Sequence, residues 1–390
     1  MADKIVRIGV IGLGNMGTGH ARYLSEGKVP RGVLTAVCDI MPDKIARAKS
    51  WLGDSVLYFD SVDAMLNANV VDGIMIETPH YDHPPIAIKG FERGLHVLSD
   101  KPAGVYTKQV RQMNEAAVKS GKVFSIMFQA RSSPAVCKMK ELIEAGELGD
   151  LKRVVRVVTG HYRSQSYYDS GDWRATWGGE GGGVLMNQDP HALDVLQWVT
   201  GMPKTVHAFL SYGKYHNIEV EDDATAYMEY ENGATGVYIT STGEAPGAER
   251  FEVSGNNGRL AIEGGKLIFY RLRLSERKFN AEYRGGFGDP ECWKCEIPTD
   301  TRKDTGHATI TTNWVNAILD GAPLIAPGVE GINGLMIANA MYLSSWTNST
   351  VNIPIDEDLF YEKLQEKIKN STYVKPTQGS IVLDIEKSFR

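Results

Sequence analysis

Residues 181–194 read G-G-G-V-L-M-N-Q-D-P-H-A-L-D and carry an Asn, a His and an Asp at 187, 191 and 194. If a helix begins near Asn187, offsets of four and seven residues set the three side chains on one face, because about 3.6 residues make a turn. His191 is the member that can exchange a proton near neutral pH. Asn187 can donate and accept hydrogen bonds but cannot act as a base. Asp194 could orient His191 or be structural. The plainer alternative is a helix capped by Asn187, with Pro190 in its first turn and His191 bonded to backbone. A second group suited to chemistry is Lys101, which follows the apolar run of residues 95–99. A lysine that is partly desolvated beside positive charge has its ammonium form disfavoured, so it can polarise or deprotonate a hydroxyl.

The elements before Lys101 say what it faces. Residues 5–11 are a short apolar strand, and Gly12-Leu13-Gly14-Asn15-Met16-Gly17 leads at once into a helix. The chain returns as a strand over 33–38 that ends at Asp39, 22 residues after Gly17. In this strand-turn-helix context, Gly12, Gly14 and Gly17 let the backbone approach a pyrophosphate, and the amides of Asn15 and Met16 open the helix toward it. Asp39 accepts from ribose hydroxyls and repels a 2'-phosphate, which favours NAD over NADP. Strand and helix continue to alternate, as in a doubly wound parallel sheet. The strand over 71–76 ends at Thr78-Pro79, and the one over 95–99 at Asp100-Lys101-Pro102, both on the ligand-binding edge of such a sheet. Thr78, Pro79, His83 and Lys101 are therefore cofactor candidates. His80 and His83 can equally cap or pack.

The glycine loop, Thr78-Pro79, Asp100-Lys101-Pro102 and residues 187–191, in this order, resemble the glucose-fructose oxidoreductase, inositol dehydrogenase and rhizopine catabolism family (Gfo/Idh/MocA). The resemblance spans nearly the whole chain. It implies an N-terminal Rossmann domain, an E-K-P motif in which Asp100 here replaces Glu, and a C-terminal domain whose open antiparallel sheet carries the substrate site. It also implies that Lys101 and His191 are catalytic. The common family pattern has Asp four residues before the histidine, where this chain has Asn187. The Asn-Gln pair looks like that of branches acting on C3 of hexoses, including glycosides and nucleotide sugars.

Beyond residue 129 the pattern changes. Residues 1–129 form the expected NAD-binding domain and 130–390 an α+β domain for substrate binding and oligomerisation. Asn232-Gly233, Asn257-Gly258 and Gly264-Gly265 sit between alternating apolar runs and predict a large, open, mostly antiparallel sheet. Its uncovered face suits a ligand or a partner subunit, so a homo-oligomer, dimer or tetramer, is expected. Residues 307–320 and 328–346 read as helices covering that sheet. The tail from Ser371 packs back on the first domain or exchanges between subunits. Residues 160–180 lack a helical or strand period and concentrate Tyr162, Tyr167, Tyr168, Trp173 and Trp177 with Arg163 and Arg174. Aromatic faces pack on the C-H faces of sugars and arginine forks bind hydroxyls or anions, so Tyr162, Arg163, Trp173, Arg174 and Trp177, with Arg131, Asn187 and His191, form the expected substrate set.

Composition narrows the class. A chain of 390 residues with 42% hydrophobic and 23% charged residues builds ordinary globular cores. A net charge of -6 without a basic run argues against nucleic acid. The N-terminus lacks an apolar leader pattern and no run of about eighteen apolar residues occurs, so a cytoplasmic protein without membrane association is expected. Cys292 and Cys295 form a lone C-x-x-C with no second pair to complete a zinc site, and no metal is expected. The expected activity is reversible hydride transfer between a secondary hydroxyl of a sugar, polyol or glycoside and NAD. The alternatives are a redox-assisted glycosidase that retains its NAD and, from another class, a nucleotide-sensing regulator without catalysis.

Overall fold

The computed structural model describes residues 4–300 and 304–375. Strands β1 (Val6–Ile11), β2 (Gly32–Cys38), β3 (Leu57–Phe59), β4 (Gly73–Ile76), β5 (His96–Ser99) and β6 (Phe124–Ile126) form a sheet in the order β3-β2-β1-β4-β5-β6. Every pairing in it is parallel. This is the doubly wound dinucleotide-binding order, in which the chain reverses direction beside β1 and opens a crevice at the strand ends. Helices α1 (Asn15–Ser25), α2 (Pro42–Leu52), α3 (Val62–Asn67), α4 (His83–Glu92) and α5 (Thr107–Ser120) make the crossovers. Nearly every residue of β1 and β4 is buried, as a sheet covered on both faces requires.

After α6 (Pro134–Glu144) the chain enters β7 (Leu151–Val158), then α7 (Gln165–Tyr168), α8 (Val184–Asn187) and α9 (Pro190–Thr200). Strands β8 (Thr205–Tyr212), β9 (Glu221–Glu229), β10 (Thr235–Ser241), β11 (Glu249–Gly255), β12 (Gly258–Glu263) and β13 (Lys266–Leu272) follow, then α10 (Glu276–Glu282) and β14 (Cys292–Ile297). Helix α11 (His307–Asp320), α12 (Gly331–Thr347), β15 (Val351–Asn352) and α13 (Glu357–Lys369) come next and are the last elements among the described residues. The second sheet has the order β14-β13-β12-β11-β7-β10-β9-β8-β15. Its pairings are antiparallel except that of β7 with β10.

Register separates the faces of this sheet. One cross-strand row, Val206, Met228, Gly236, Val154 and Val253, is buried beneath α9 and α12. The neighbouring row, His207, Tyr227, Val237, Val155 and Glu252, lies on the opposite face. Tyr227 is 44% exposed and Phe209, on the same face, 65% exposed. Cys292 and Cys295 lie three apart on the edge strand β14, so their side chains leave opposite faces and share no site.

One expectation needs correcting. Helix α11 does not cover the second sheet: Ile310, Trp314 and Val315 are buried in one cluster with Val6, Ile8 and Val10 of β1. A Cβ added at Gly73 would stand 2.7 Å from the Trp314 ring, so the strand is cut to admit it. The first domain is thus completed by a segment far along the chain, because the sheet face beside β1 and β5 is apolar and needs a lid. Helix α13 also returns to the first domain, where Arg111 pairs with Glu357 and Lys108 with Asp358. We expect Trp314→Ala to cost about 3–5 kcal/mol in urea unfolding, the range for truncating a buried aromatic. A loss below about 1 kcal/mol would show that α11 is not part of that core.

Candidate active site

The glycine loop is closely fitted on one side and open on the other. Gly12 has φ +95°, and a Cβ there would lie 2.6 Å from the Glu77 carbonyl oxygen. A Cβ at Gly17 would lie 1.8 Å from the Gly12 oxygen, which excludes any other residue. A Cβ at Gly14 would meet nothing within 4 Å, so the outer surface of the loop is clear. Helix α1 begins there without a side-chain cap, which leaves the amides of Asn15 and Met16 and the positive end of the helix for an anionic group. The site fits a pyrophosphate. Asp39 is buried at the end of β2, accepting from Leu13 N at 2.7 Å and Met41 N at 2.9 Å. It fixes the loop through both carboxylate oxygens.

Thr78 and Pro79 end β4 beside this loop, and the Thr78 hydroxyl is buried without a protein partner. His83 is engaged with backbone on both sides: Nδ1 lies 2.8 Å from the Pro102 oxygen and Nε2 2.8 Å from the Thr78 oxygen. It ties the two strand-end loops together, which is a positioning role instead of the ligand contact expected from sequence. His80 is held through Nδ1, 3.0 Å from the Glu180 oxygen, with its ring edge-on to Trp173. Burial pushes its pKa well below the ordinary histidine value, and it stays neutral.

Lys101 reaches from β5 across the seam between the sheets. Its Nζ donates to the Asn187 carbonyl oxygen at 2.9 Å and lies 3.5 Å from Asn187 Oδ1. Burial lowers its pKa; Asp100 and Glu180 oppose the shift, while Arg174 and Arg163 add to it. The Asn187 amide nitrogen donates to Glu180 Oε1, and Glu180 Oε2 accepts from Ala175 N at 2.6 Å. Glu180 had no assigned role in the sequence, where only its place at the end of an aromatic segment marked it.

The helix expected from Asn187 onward is broken. Helix α8 ends at Asn187 and α9 starts at Pro190, which suits the first helical turn because its missing N-H would have no intrahelical partner there. Asn187, His191 and Asp194 consequently do not form one stripe. Asp194 turns into the interior and takes a bidentate pair from Arg131 at 2.7 Å for both bonds, and Arg131 also binds Glu330. Arg131 is 1% exposed, its charge already matched by two carboxylates. It is therefore part of the seam and has no face left for a substrate.

His191 stays in the cleft. Gln129 Nε2 lies 3.2 Å from its Nε2, while His191 Nδ1 and Gln129 Oε1 have no partner among the described residues. Burial moves the pKa of His191 well below its ordinary value, with Lys101, His307 and His161 acting in the same direction. The ring is neutral at pH 7 and able to take a proton. Nearby, among the described residues, Gln188 Oε1 has no hydrogen-bond partner, and His161 Nδ1 and Asp189 Oδ1 face each other at 3.8 Å, beyond hydrogen-bond distance. Asp189 is held through Oδ2 by the Tyr238 hydroxyl at 2.6 Å. Donors and acceptors concentrated this densely suit a polyhydroxylated molecule.

Residues 160–180 divide. Arg174 is sandwiched between the Tyr167 and Trp173 rings at 4.6 and 4.7 Å, and Arg163 lies over Tyr167 at 5.1 Å. Tyr162 is exposed. Trp177 is a correction: it is 4% exposed and packs on Tyr212, Tyr342 and Trp346, so it is core and cannot stack on a sugar. Sequence reasoning gave no role to Gln129, His161, Asp189 or Glu221. Glu221 is fully buried and accepts from Gly183 N, Leu185 N and the Tyr342 hydroxyl, clamping the turn that delivers Asn187.

A dinucleotide-binding sheet whose strand-end lysine bonds Asn187, just ahead of the helix that carries His191, has the arrangement of a two-part NAD-dependent oxidoreductase. The chain belongs to the GFO/IDH/MocA family: the oxidoreductase family model with NAD-binding Rossmann fold matches residues 6–128, and the GFO/IDH/MocA C-terminal domain matches 136–261. It is 28% identical to the rhizopine catabolism protein MocA of Rhizobium meliloti over 51% of this chain and 58% of that protein. It is 25% identical to levoglucosan dehydrogenase of Pseudarthrobacter phenanthrenivorans over 90% of this chain and 98% of that one. The crystal structure of the WlbA dehydrogenase from Bordetella pertussis, in complex with NADH and UDP-GlcNAcA, superposes with a TM-score of 0.76 at 26% identity, covering 91% of this chain and 100% of that one.

Burial pushes the Glu221 carboxyl up to about 8, its hydrogen-bond donors opposing the shift. A carboxyl raised on folding contributes stability that is full below its unfolded value, near 4.3, and is lost as pH rises through the folded value. We expect Glu221→Gln to reduce the fall in unfolding free energy between about pH 5 and pH 8 by up to about 1.4 kcal/mol per pH unit. Parallel curves for the two proteins, from urea titrations across that range, would contradict the assignment.

Proposed function

We propose that this oxidoreductase transfers hydride between NAD and a secondary hydroxyl of a sugar, polyol or glycoside, with C3 of a hexose unit as the first position to test. The observation carrying the proposal is the grouping of Lys101 Nζ with Asn187 and, within electrostatic reach, neutral His191, beside Gln129 and Gln188, each with an amide oxygen that has no partner among the described residues. The similarity to levoglucosan dehydrogenase and to a dehydrogenase bound to a nucleotide sugar supports this substrate class.

The cofactor would be held by Gly12, Gly14, Gly17, Asn15, Met16 and Asp39 with Thr78 and Pro79 beside it, and would supply the hydride acceptor or donor. The chain's own residues manage the proton. Lys101 donates to the alcohol oxygen and disperses its developing negative charge, and Asn187 holds that oxygen by hydrogen bonding. His191 takes the hydroxyl proton as general base. With the Gln129 amide nitrogen against Nε2, the ring proton is on Nδ1; turning the amide to present Oε1 to Nε2-H leaves Nδ1 as the base. Trp173, Arg174, Arg163 and Tyr162 form the outer wall for the rest of the sugar.

The apolar outer face of the second sheet, with Val155, Val237, Tyr227 and Phe209, supports a homo-oligomer built on that face. A cytoplasmic location fits the four free cysteines, and among the described residues no helix is long and apolar enough to cross a membrane.

With a panel of hexoses, inositols and glycosides, we expect NADH formation and a keto product by mass spectrometry. Lys101→Ala should lower kcat by about a hundredfold or more while NADH binding, read by fluorescence, is retained. Unchanged turnover would remove Lys101 from the mechanism. Glycoside cleavage without net NADH would point to the oxidation-elimination route. Val155→Glu with Val237→Glu should yield a folded monomer by light scattering; an assembly of unchanged size would exclude this face.

A further inference from the structure

Asn187 lies beside Lys101 but carries no charge. The nearest carboxylate in the hydrogen-bond chain is one step back, at Glu180, which is 2% exposed. Glu180 sits between groups that all donate. The Asn187 amide nitrogen donates to Oε1, Ala175 N donates to Oε2, and Arg174 Nη1 stands 3.8 Å from Oε1. Burial pushes this carboxyl upward, and Arg174, the Ala175 amide, Asn187 and Lys101 all oppose the shift. Two cations, Arg174 and Lys101, act on Glu180, a pairing that Glu221 lacks, and with every contact a donor they favour the ionised carboxylate. With Asn187 Nδ2 committed to Glu180, Oδ1 has one orientation left, toward Lys101 Nζ at 3.5 Å. The order is Arg174, Glu180, Asn187, Lys101, with the anion between two cations and the amide relaying its polarity.

Resting on the hydride-transfer reading, we propose that Glu180 is a positioning residue: it fixes the Asn187 amide with its oxygen toward Lys101 and supplies, one residue removed, the negative charge that Asn187 lacks. The backbone around it serves the same end. Ala175 adopts φ +54°, a left-handed conformation that costs a side-chain-bearing residue energy, and its N-H is held by the Glu180 carboxylate. That turn carries Trp173 and Arg174, so Glu180 also links the amide to the wall of the cleft. After Asp100, the charge of Glu180 favours the ammonium form of Lys101, opposing the effect of its burial.

An exchange of amide and acid tests this. In Glu180→Gln, an amide faces donors on both sides. Satisfying Ala175 N turns its NH2 toward Asn187, which must flip and present its own NH2 to Lys101. Adding Asn187→Asp reverses every polarity without conflict: the introduced amide accepts from Ala175 N and donates to the introduced carboxylate, and that carboxylate faces Lys101. Two readouts are needed. One is amine labelling of Lys101 by trinitrobenzenesulfonate at pH 8, quantified by peptide mass spectrometry in the free protein; the other is kcat and KM on the alcohol substrate.

Glu180→Gln should increase Lys101 labelling by about threefold or more, the effect of about half a pKa unit. It should also lower kcat by about ten- to hundredfold with a smaller change in KM. The double variant should return labelling to the wild-type level or below it and recover most of kcat. Unchanged Lys101 labelling in Glu180→Gln, or a double variant with wild-type thermal unfolding and no recovery in either readout, would overturn the proposal. Labelling that shifts and is restored in a protein that oxidises no alcohol would uphold the link to Lys101 and overturn the hydride-transfer reading alone.

Discussion

Lys101 and His191, the groups proposed to react, come from the two halves of the chain, so the proposed site exists only as well as the seam between them is held. Lys101 belongs to the parallel sheet and His191 to a helix under the antiparallel one. Several contacts fix them against each other. Arg131, from the segment joining the domains, grips Asp194 on the His191 helix and Glu330 before α12. His80 bonds the Glu180 carbonyl oxygen, and the Tyr81 hydroxyl donates to the Trp177 oxygen at 2.7 Å. Asn339 of α12 spans Val105 O and Thr107 N through both ends of its amide. A buried ion pair adds little net stability against an apolar replacement, but removing one partner strands the other. At this seam its geometry matters more than its energy, because bidentate pairing permits one docking orientation.

Buried carboxyls recur around the site, and each is matched differently. Asp194 meets a guanidinium, Glu221 meets two amides and a hydroxyl, Glu180 meets amides with a cation beyond, and Glu77 meets His20 at 2.7 Å under the glycine loop. Burial raises Glu77 to about 7 against the opposing effect of His20, and His20 is itself raised by Glu77, so the pair retains a proton near neutrality. Asp194, which faces a full cation, organises the fold, whereas Glu221 and Glu180, which face neutral donors, hold the backbone turns around Asn187.

What could be read from the sequence was what depends on neighbours in the chain. The glycine loop, the strands leading to Thr78 and Lys101, and the hairpins of the second sheet follow from short-range pattern and turn chemistry. The break after Asn187 was also signalled locally, since Pro190 marks the first residue of a new helix and not the interior of an older one. Long-range pairing was not legible. An arginine at 131 looks the same whether it meets a sugar or Asp194, 63 residues on. Trp177 and Trp173 are alike in sequence, and only burial sends one to the core and leaves the other at the cleft. Glu180 and Asn187 meet across a loop whose path no periodicity describes.

Helix α11 bears on how the protein is made. The core around β1 is closed by Ile310, Trp314 and Val315, so the nucleotide-binding half lacks part of its interior until synthesis has passed that point. During translation, the first sheet emerges with an apolar face uncovered while β7 to β14 of the second sheet are still being added. A fragment ending at residue 129 would keep that face exposed permanently. Chaperone engagement on the ribosome, and the choice of where to divide the gene for expression, both follow from that one helix.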